Sequence, residues 1–434
     1  MRFNFIALIG LSGLIASGQV WAGPGIKHWQ TQQGARVYYV NTPSLPMIDV
    51  RVIFDAGSAR DGQQQGVAAL TSALFDTGAG AWNADAIAER FESVGAVFSS
   101  SVSEDNAWLS LRTLSDKTMA ATAIETFDAV LSKPTFGAAD FEREKTRMLA
   151  GLKHREESPG AIARIAFQKA LYGDHPYAHP EEGFIDTVSA IQVSDIQRFY
   201  DNHYIANNAV VVIVGDIAED PARELAQSLV SHLKTGHKPE DIPQVTLPKQ
   251  ASAQHIAFPS SQTHVLVGLP GKHRKDPDYF PLYVGNHILG GGALVSRLFE
   301  EVREKRGLAY SASSQFSPMY REGPFAISLQ TRNDQTKQAL AVVDETLQTF
   351  IDHGPEEAEL TAAKNNIIGG FALRTDTNAK LLEYVSMIGF YQQPLDYLDT
   401  FPSKVAAVTA ADVQKAFKAR IRQDLMQTIT VGGE

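Results

Sequence analysis

Hydrophobic and polar positions along the chain follow two successive copies of one arrangement. Each copy begins with an apolar, β-branched stretch typical of a strand, followed by helix-like stretches, two more strands, a long amphipathic helix and further helices. The long helix reads KTMAATAIETFDAVLSKP in the first copy and QTKQALAVVDETLQTFIDHG in the second. The predicted elements therefore have the same order in both halves.

The two copies also match at their ends, residue by residue. The stretch VSAIQVSDIQRFYDNHYIANNAVVVIVGD begins at Val188 and aligns without a gap with VAAVTAADVQKAFKARIRQDLMQTITVGG, which begins at Val405. Both stretches read as a capped helix followed by a β-rich strand that ends in glycine, Gly215 in the first and Gly432 in the second. Such a match indicates a duplicated unit.

The duplication predicts an α+β fold of two homologous domains, each a mostly antiparallel sheet with helices packed on one face. The predicted domains span residues 23–234 and 250–434. Residues 235–249 between them are rich in proline and charged residues, which is typical of a linker.

The first 22 residues form a separate segment. Arg2 precedes the apolar run FIALIGLSGLIASG, and Val20 and Ala22 stand where a signal peptidase requires small residues. We interpret residues 1–22 as a cleaved secretory signal and expect a periplasmic or secreted protein. The run is short and interrupted by glycine and serine, which disfavours a transmembrane anchor, and no second stretch is long enough to span a bilayer.

Composition narrows the possible chemistry. The chain has no cysteine, which excludes disulfides, cysteine nucleophiles and thiolate metal sites, so that any metal would need histidine and carboxylate ligands. The net charge of −10 at pH 7 argues against a nucleic-acid partner. His175 and His179 lie close to two glutamates, but a proline follows each histidine and breaks any helix that would align them, so we favour a turn packed by Tyr177 over a metal site.

The strongest local signal is SRLFEEVREKRGLAYS, residues 296–311. Its S-R-L-F and R-x-x-x-G-L-x-Y pattern resembles the second domain of the pitrilysin/insulinase family of zinc peptidases, which includes the mitochondrial processing peptidases. The resemblance covers essentially the whole chain after the signal and includes the stretch YGDHPYAHP, which begins at Tyr172.

In that family the first domain carries H-x-x-E-H on a helix, where two histidines bind zinc, the glutamate activates a water, and a third ligand, a glutamate, follows downstream. The stretch GVAALTSALFDTGAG, residues 66–80, reads here as one buried helix with Ala69 and Ala73 at the histidine positions and Ser72 at the glutamate position. The downstream ligand would fall at residues 148–151, which contain no carboxylate. The resemblance therefore implies that this chain binds no metal and that zinc belongs to a partner subunit.

The second domain, unlike the first, keeps the residues that the family uses there. The family uses an arginine and a tyrosine of this domain to hold substrate next to zinc, and Arg303 and Tyr310 match that pair. The resemblance implies that Arg303 binds a substrate backbone carbonyl and that Tyr310 donates to the oxygen that becomes anionic, roles that suit a fork of donors and a compact hydroxyl. Spacing alone favours a surface arginine and a core tyrosine at a helix-to-strand junction, whereas the surrounding motif favours the functional interpretation.

We therefore expect a zinc-free subunit, inactive alone, of a heterodimeric insulinase-like metallopeptidase. A homologous zinc-bearing subunit would be its partner, and short unfolded peptides would be the substrates, because a chamber closed by two double-domain shells admits little else. Two alternatives stay open: a non-enzymatic scaffold, like the core subunits of respiratory complexes, and a stand-alone peptide-binding protein. The presence of both Arg303 and Tyr310 favours the peptidase role, since a scaffold needs neither.

Overall fold

A computed structural model describes residues 25–433, and the predicted signal, residues 1–22, lies outside them. The strands are β1 (Lys27–Gln30), β2 (Arg36–Asn41), β3 (Met47–Phe54), β4 (Gly78–Ala79), β5 (Trp82–Asn83), β6 (Val97–Val102), β7 (Ala107–Leu114), β8 (Ala209–Gly215), β9 (Ser252–Ile256), β10 (Gln262–Lys272), β11 (Ala309–Phe316), β12 (Gly323–Arg332) and β13 (Gln427–Val431). The helices are α1 (Val67–Ser72), α2 (Ala84–Glu92), α3 (Lys117–Ser132), α4 (Ala138–Arg155), α5 (Pro159–Tyr172), α6 (Ile185–Ala190), α7 (Val193–His203), α8 (Glu219–Ser231), α9 (Tyr279–Asn286), α10 (Arg297–Phe299), α11 (Thr336–His353), α12 (Glu357–Gly369), α13 (Asn378–Phe390), α14 (Tyr397–Ala407) and α15 (Ala410–Arg420).

Each half of the chain builds one main sheet. The first half forms a six-stranded sheet in the order β1-β2-β8-β3-β7-β6, and the second a five-stranded sheet in the order β11-β12-β10-β13-β9. Among the described residues, β2 with β8 and β9 with β13 are the parallel pairs, and the other neighbours in both sheets are antiparallel. The predicted α+β class with mostly antiparallel sheets is thereby confirmed.

The duplicated unit is visible in the backbone. The first copy forms α7 and β8, and the second forms α15 and β13. The glycine that closes each copy has the same conformation, with φ of +143° at Gly215 and +142° at Gly432. A side chain could not be added at either position, because a Cβ atom would lie 2.2 Å from the carbonyl oxygen of Met47 or 2.4 Å from that of Gln262.

The two halves exchange a helix, which the sequence did not predict. Helices of the first half cover one face of its sheet, and α13 of the second half packs on the other face, against β2, β3 and β8. There Arg51 forms an ion pair with Glu383 at 2.6 Å. In return, α5 of the first half packs on β10 and β13 of the second sheet. The central strands are consequently buried on both faces, which explains the unbroken apolar run of β8.

The predicted linker, residues 235–249, contains no helix or strand. It is held against both halves, because Arg60 donates to the carbonyl oxygen of Glu240 at 2.5 Å and Arg321 donates to that of Ile242 at 2.6 Å. Within the part of the chain that the structure describes, no helix is both long and apolar enough to cross a membrane.

Candidate functional site

The helix expected over residues 66–80 is shorter in the structure. Helix α1 ends at Ser72 and is followed by a single helical turn, Phe75–Thr77, and by β4. Phe75 is fully buried in an aromatic cluster with Phe136, Tyr200 and Tyr204. The prediction of one continuous helix is therefore wrong, because packing of this ring draws the chain out of the helical path. The positions of the zinc motif still fall within α1 and at its C-cap.

A buried carboxylate fixes the start of α1. Asp61 accepts hydrogen bonds from the backbone N–H of Gly66 at 2.7 Å and of Ala68 at 3.0 Å. These are N–H groups that a helix leaves unsatisfied at its first turn. Burial raises the pKa of Asp61 to about 8. The helix is thus held rigidly, although it carries none of the family's catalytic groups.

The positions of the lost zinc motif surround a small cavity. Ala69, Ser72 and Ala73 line a space of about 390 Å³ together with the serines of β6 and with Arg147 and Glu181. The backbone of Ser72 is also bound to β6, because its carbonyl oxygen accepts a hydrogen bond from the hydroxyl of Ser100 at 3.0 Å. The helix therefore presents methyl and hydroxyl groups where the family places imidazoles and a carboxylate.

The stretch predicted to hold the third ligand position lies near the C-cap of α1. Met148 and Gly151 of α4 border a cavity of about 380 Å³ that Ala73 also borders. The nearby Glu144 is held by Arg147 at 2.5 Å. Within residues 25–433, no three histidine, cysteine or carboxylate side chains lie together so as to hold a metal ion. The donor set at this place does not fit a catalytic zinc ion, which is held by three histidine, cysteine or carboxylate ligands and a water.

A pair of carboxyl groups lies beside the cavity lined by Ala69, Ser72 and Ala73, and the sequence analysis did not predict this pair. Glu181 lines the cavity at α1, and Glu104 lines a larger cavity between the halves. Burial raises the pKa of Glu104, and burial together with the charge of Glu104 raises that of Glu181 to about 8. Each carboxyl group acts on the other, which favours keeping a proton on the pair. Because they are distant in the chain, no local pattern could have paired them.

The turn at residues 175–182 is held by hydrogen bonds of His175 and Tyr177. The Nδ1 atom of His175 accepts the backbone N–H of Tyr177 at 3.1 Å, and its Nε2 atom lies 3.0 Å from the carbonyl oxygen of Pro243. Both ring nitrogens of His175 are therefore occupied. Tyr177 is buried and donates to Asp105, as expected for a turn packed by this tyrosine.

Arg303 and Tyr310 lie next to each other on the surface of the second half. The guanidinium carbon of Arg303 is 4.8 Å from the ring centre of Tyr310 and equally far from that of Phe299. Tyr310 is 81% exposed, and its hydroxyl makes no hydrogen bond within the described residues. The structure thus does not place this tyrosine in the core. Stacking of the cation on the ring fixes the position of both side chains.

The surrounding motif holds the pair in place. Arg297 forms two hydrogen bonds with the carboxylate of Glu359, at 2.8 and 2.6 Å, which fastens the motif to α12. The register of β11 with β12 shifts between Ala309 and Ala312, so that Tyr310 and the following serine are both exposed. A bulge of this kind reorients a side chain away from the regular alternation of a strand.

Within one chain, the two sets of predicted positions are not part of one cavity. Neither Arg303 nor Tyr310 lines the cavities beside α1. The structure therefore brings together Ala69, Ser72 and Ala73 with the third-ligand position, and separately brings Arg303 to Tyr310. The roles assigned to these residues stay predictions.

Comparison with known proteins identifies the family of both halves. Residues 36–182 match the family described as Insulinase (Peptidase family M16), and residues 190–367 match the one described as Peptidase M16 inactive domain. The crystal structure of a peptidase M16 inactive domain from Pseudomonas fluorescens superimposes with a TM-score of 0.91 at 38% sequence identity, covering 94% of this chain and 98% of that one.

Two related sequences carry different kinds of names. A protein of Helicobacter pylori named non-peptidase homolog YmxG is 26% identical over 96% of this chain and 95% of its own length. A protein of Streptomyces coelicolor named an uncharacterized zinc protease is 28% identical over 67% of this chain, and the match spans 65% of that protein.

Proposed function

Because the chain belongs to the insulinase family, peptidase family M16, and has alanine and serine in place of the zinc motif, we propose that it is the zinc-free subunit of a heterodimeric metallopeptidase. Its partner is a homologous subunit that carries H-x-x-E-H and the zinc ion. The observation that carries the proposal is the exposed pair of Arg303 and Tyr310, which matches the substrate-holding pair of the family.

The pair acts on a peptide bond that the partner cleaves. Zinc on the partner supplies the activated water. Arg303 binds a backbone carbonyl of the peptide through its guanidinium N–H groups, and the hydroxyl of Tyr310 donates to the carbonyl oxygen that becomes negative during attack. The separation of this pair from the cavities at α1 supports action on a partner's site, since neither side chain lines the cavities where this chain's own zinc motif would lie.

The same segment offers a surface to the partner. Leu294 is 68% exposed and Val295 is 82% exposed, and both immediately precede the motif that positions Arg303. Exposed apolar side chains next to a functional group are typical of contact surfaces. The substrates are short unfolded peptides, because a closed chamber excludes folded chains. The predicted signal in residues 1–22 supports a periplasmic or secreted location for the complex.

Co-purification tests this proposal directly. The tagged chain, expressed in its native host, is expected to bring down a homologous protein that contains H-x-x-E-H, and the complex is expected to hydrolyse peptides in a chelator-sensitive manner. Each subunit alone is expected to be inactive. A chain that purifies alone from its host, at every salt concentration tested, and that adds no activity to the zinc-bearing homologue would overturn the proposal.

A non-enzymatic scaffold is the second candidate. The absence of all the zinc-motif side chains favours it, because a fold kept only for assembly needs no catalytic group. The two functions differ in one measurable property. If the chain is a scaffold, replacing Arg303 and Tyr310 changes neither the subunits of its complex nor any activity that the complex has. If the chain is a peptidase subunit, the same replacements leave the subunits together but lower the peptidase activity.

A further inference from the structure

A cavity of about 1150 Å³ lies between the two halves. One wall is formed by β11 and β12, with Ser311, Ser313 and Gln330 among its lining residues. The first half contributes α5 and the turn between β6 and β7. Lys272 and Arg274, at the end of β10, line the same cavity. Its volume is comparable to that of pockets that bury a small ligand.

Lys272 is a buried cation without a directly bound counter-ion. Its side chain is 1% exposed, and its ammonium group donates to the carbonyl oxygen of Tyr279 at 3.0 Å. The ammonium lies 4.0 Å from the ring centre of Tyr279 and 4.9 Å from that of Phe316. Asp276 is the nearby carboxylate that favours the charged form; Arg420 binds its Oδ1 atom at 2.8 Å, and its Oδ2 atom is buried without a hydrogen-bond partner. Burial lowers the pKa of Lys272 to about 7.

Arg274 adds a second cation with an unused donor. Its guanidinium carbon lies 5.2 Å from the ring centre of Tyr391, and its Nε atom is buried without a hydrogen-bond partner. Within the described residues it forms no ion pair, and its charge lowers the pKa of Lys272 further. A buried donor without a partner is rare in native proteins and indicates a missing acceptor.

The described acidic groups that line the cavity form no ion pair with these cations. Asp105 accepts hydrogen bonds from Tyr177, from the hydroxyl of Tyr391 at 2.8 Å and from the backbone N–H of Tyr320 at 2.7 Å, so its oxygens are already occupied. Glu104 acts on Glu181, whose pKa is raised by burial and by the charge of Glu104. Lys272 and Arg274 thus line the cavity without a direct ion pair to a carboxylate of the described chain, as does Arg164.

We propose that Lys272 and Arg274 bind the carboxylate at the C-terminus of an extended peptide that lies in this cavity. A guanidinium and an ammonium together provide charge-assisted hydrogen bonds to the two oxygens of a carboxylate. The wall at β11 and β12 suits a peptide backbone, because it includes the hydroxyl and amide side chains of Ser311, Ser313 and Gln330 and because β11 is the edge strand of its sheet. This inference rests on the proposed function for the peptide as substrate and adds recognition of its free end.

Two peptides of one unstructured sequence test the assignment, one with a free C-terminal carboxylate and one with a C-terminal amide. Binding to the isolated chain is measured by fluorescence anisotropy at about pH 6, below the pKa of Lys272. The acid is expected to bind at least about tenfold more tightly than the amide, since a charge-assisted hydrogen bond contributes about 1.5 to 3 kcal/mol.

Substitutions then locate the effect. Arg274→Gln and Lys272→Met are expected to lower the affinity for the acid to that for the amide and to leave the amide's affinity unchanged. Lys275→Gln is the matched control, because it removes the same charge from an exposed neighbour that does not line the cavity. A preference for the acid that survives Arg274→Gln and Lys272→Met together would overturn the proposal, with thermal unfolding showing that the variants are folded.

Three further outcomes overturn the inference. The first is equal binding of the acid and the amide, and the second is no binding of either peptide at millimolar concentration. The third is displacement of the acid by acetate or phosphate at concentrations similar to that of free peptide, which would indicate a site for small anions. None of them depends on a partner. A complex that cleaves both peptides with equal kcat/KM, after equal binding, would remove the carboxylate site and leave the proposed function standing.

Discussion

The two halves of the molecule share a fold but differ in what they present at the places where the family does its chemistry. In the first half, Ala69 and Ser72 are 8% and 6% exposed, and they belong to a short helix fixed by a buried carboxylate. In the second half, Arg303 stacks on a tyrosine that is 81% exposed. The difference shows that a site can be lost while its helix is kept, because burial and the hydrogen bonds to Asp61 hold the helix without the metal ligands.

The exposed pair lacks a comparable structural reason. Tyr310 makes its ring contact with Arg303 and buries little surface, so folding gains little from either side chain. Phe75 in the first half is the opposite case, since it is fully buried among aromatic rings. A contribution to the core accounts for Phe75 and not for Tyr310, and this contrast is why we assign the pair a functional role.

Replacement of the hydroxyl of Tyr310 is expected to have the largest effect on the activity of the complex. Tyr310→Phe should lower kcat of the reconstituted heterodimer by roughly 10² to 10³, because one donor to the developing oxyanion is lost while the ring and its stacking on Arg303 are kept. Steady-state kinetics measures the change, and size-exclusion chromatography checks assembly. Tyr320→Phe is the control for loss of a hydroxyl from another exposed tyrosine. Wild-type turnover in Tyr310→Phe would favour the scaffold.

Arg303→Ala is expected to have a somewhat smaller effect, mainly on substrate binding. Loss of a charge-assisted hydrogen bond to a substrate carbonyl, about 1.5 to 3 kcal/mol, should lower kcat/KM by roughly 10- to 100-fold. Arg332→Ala is the matched control, because Arg332 is an exposed arginine paired with Asp334. An equal fall in kcat/KM for both variants would show that general charge, and not this position, matters.

The buried lysine of the second half gives a prediction about stability. Its pKa is about 7 in the folded chain and 10.5 when exposed, so the folded state loses stability as pH falls from about 10.5 toward 7. Lys272→Met should therefore raise Tm by a few degrees at about pH 7, and the gain should shrink toward about pH 10. Thermal unfolding of both proteins across this range tests the sign. A gain that is independent of pH would contradict the assignment to this ammonium group.

Much of the fold could be predicted from the sequence because it depends on local patterns. The alternation in β3 and β7 and the amphipathic period of α3 each specify an element, and the gapless repeat specifies that the halves are alike. The positions of the lost zinc motif and of Arg303 and Tyr310 followed from a family motif, and the roles assigned to them stay predictions.

What could not be predicted depends on contacts between distant segments. The exchange of α5 and α13 between the sheets is invisible in sequence, since the apolar face of a helix does not specify which sheet it covers. The early end of α1 depends on the burial of Phe75 by residues far along the chain. The pairing of Glu104 with Glu181 and the isolation of Lys272 likewise arise only when the halves meet.

The smallest expected effects concern the lost zinc site of the first half, and the first of them is the zinc content of the wild-type chain. Elemental analysis of the isolated wild-type chain should find no stoichiometric zinc, because the ligand positions hold Ala69, Ala73 and the carboxylate-free stretch 148–151. One tightly bound zinc per chain would contradict our interpretation of α1.

The triple variant Ala69→His, Ser72→Glu, Ala73→His should also remain inactive. Its three new side chains would supply two ligands and a base, but Met148 and Gly151 still face Ala73 from α4 without a third ligand. Two of the new side chains must also fit at buried positions, where extra volume costs typically about 1 to 3 kcal/mol. The groups that orient a metal-bound histidine are missing as well. Chelator-sensitive peptidase activity in this variant would show that the first half keeps more of a metal site than its side chains indicate, and the contrast between the halves would then be one of ligands alone.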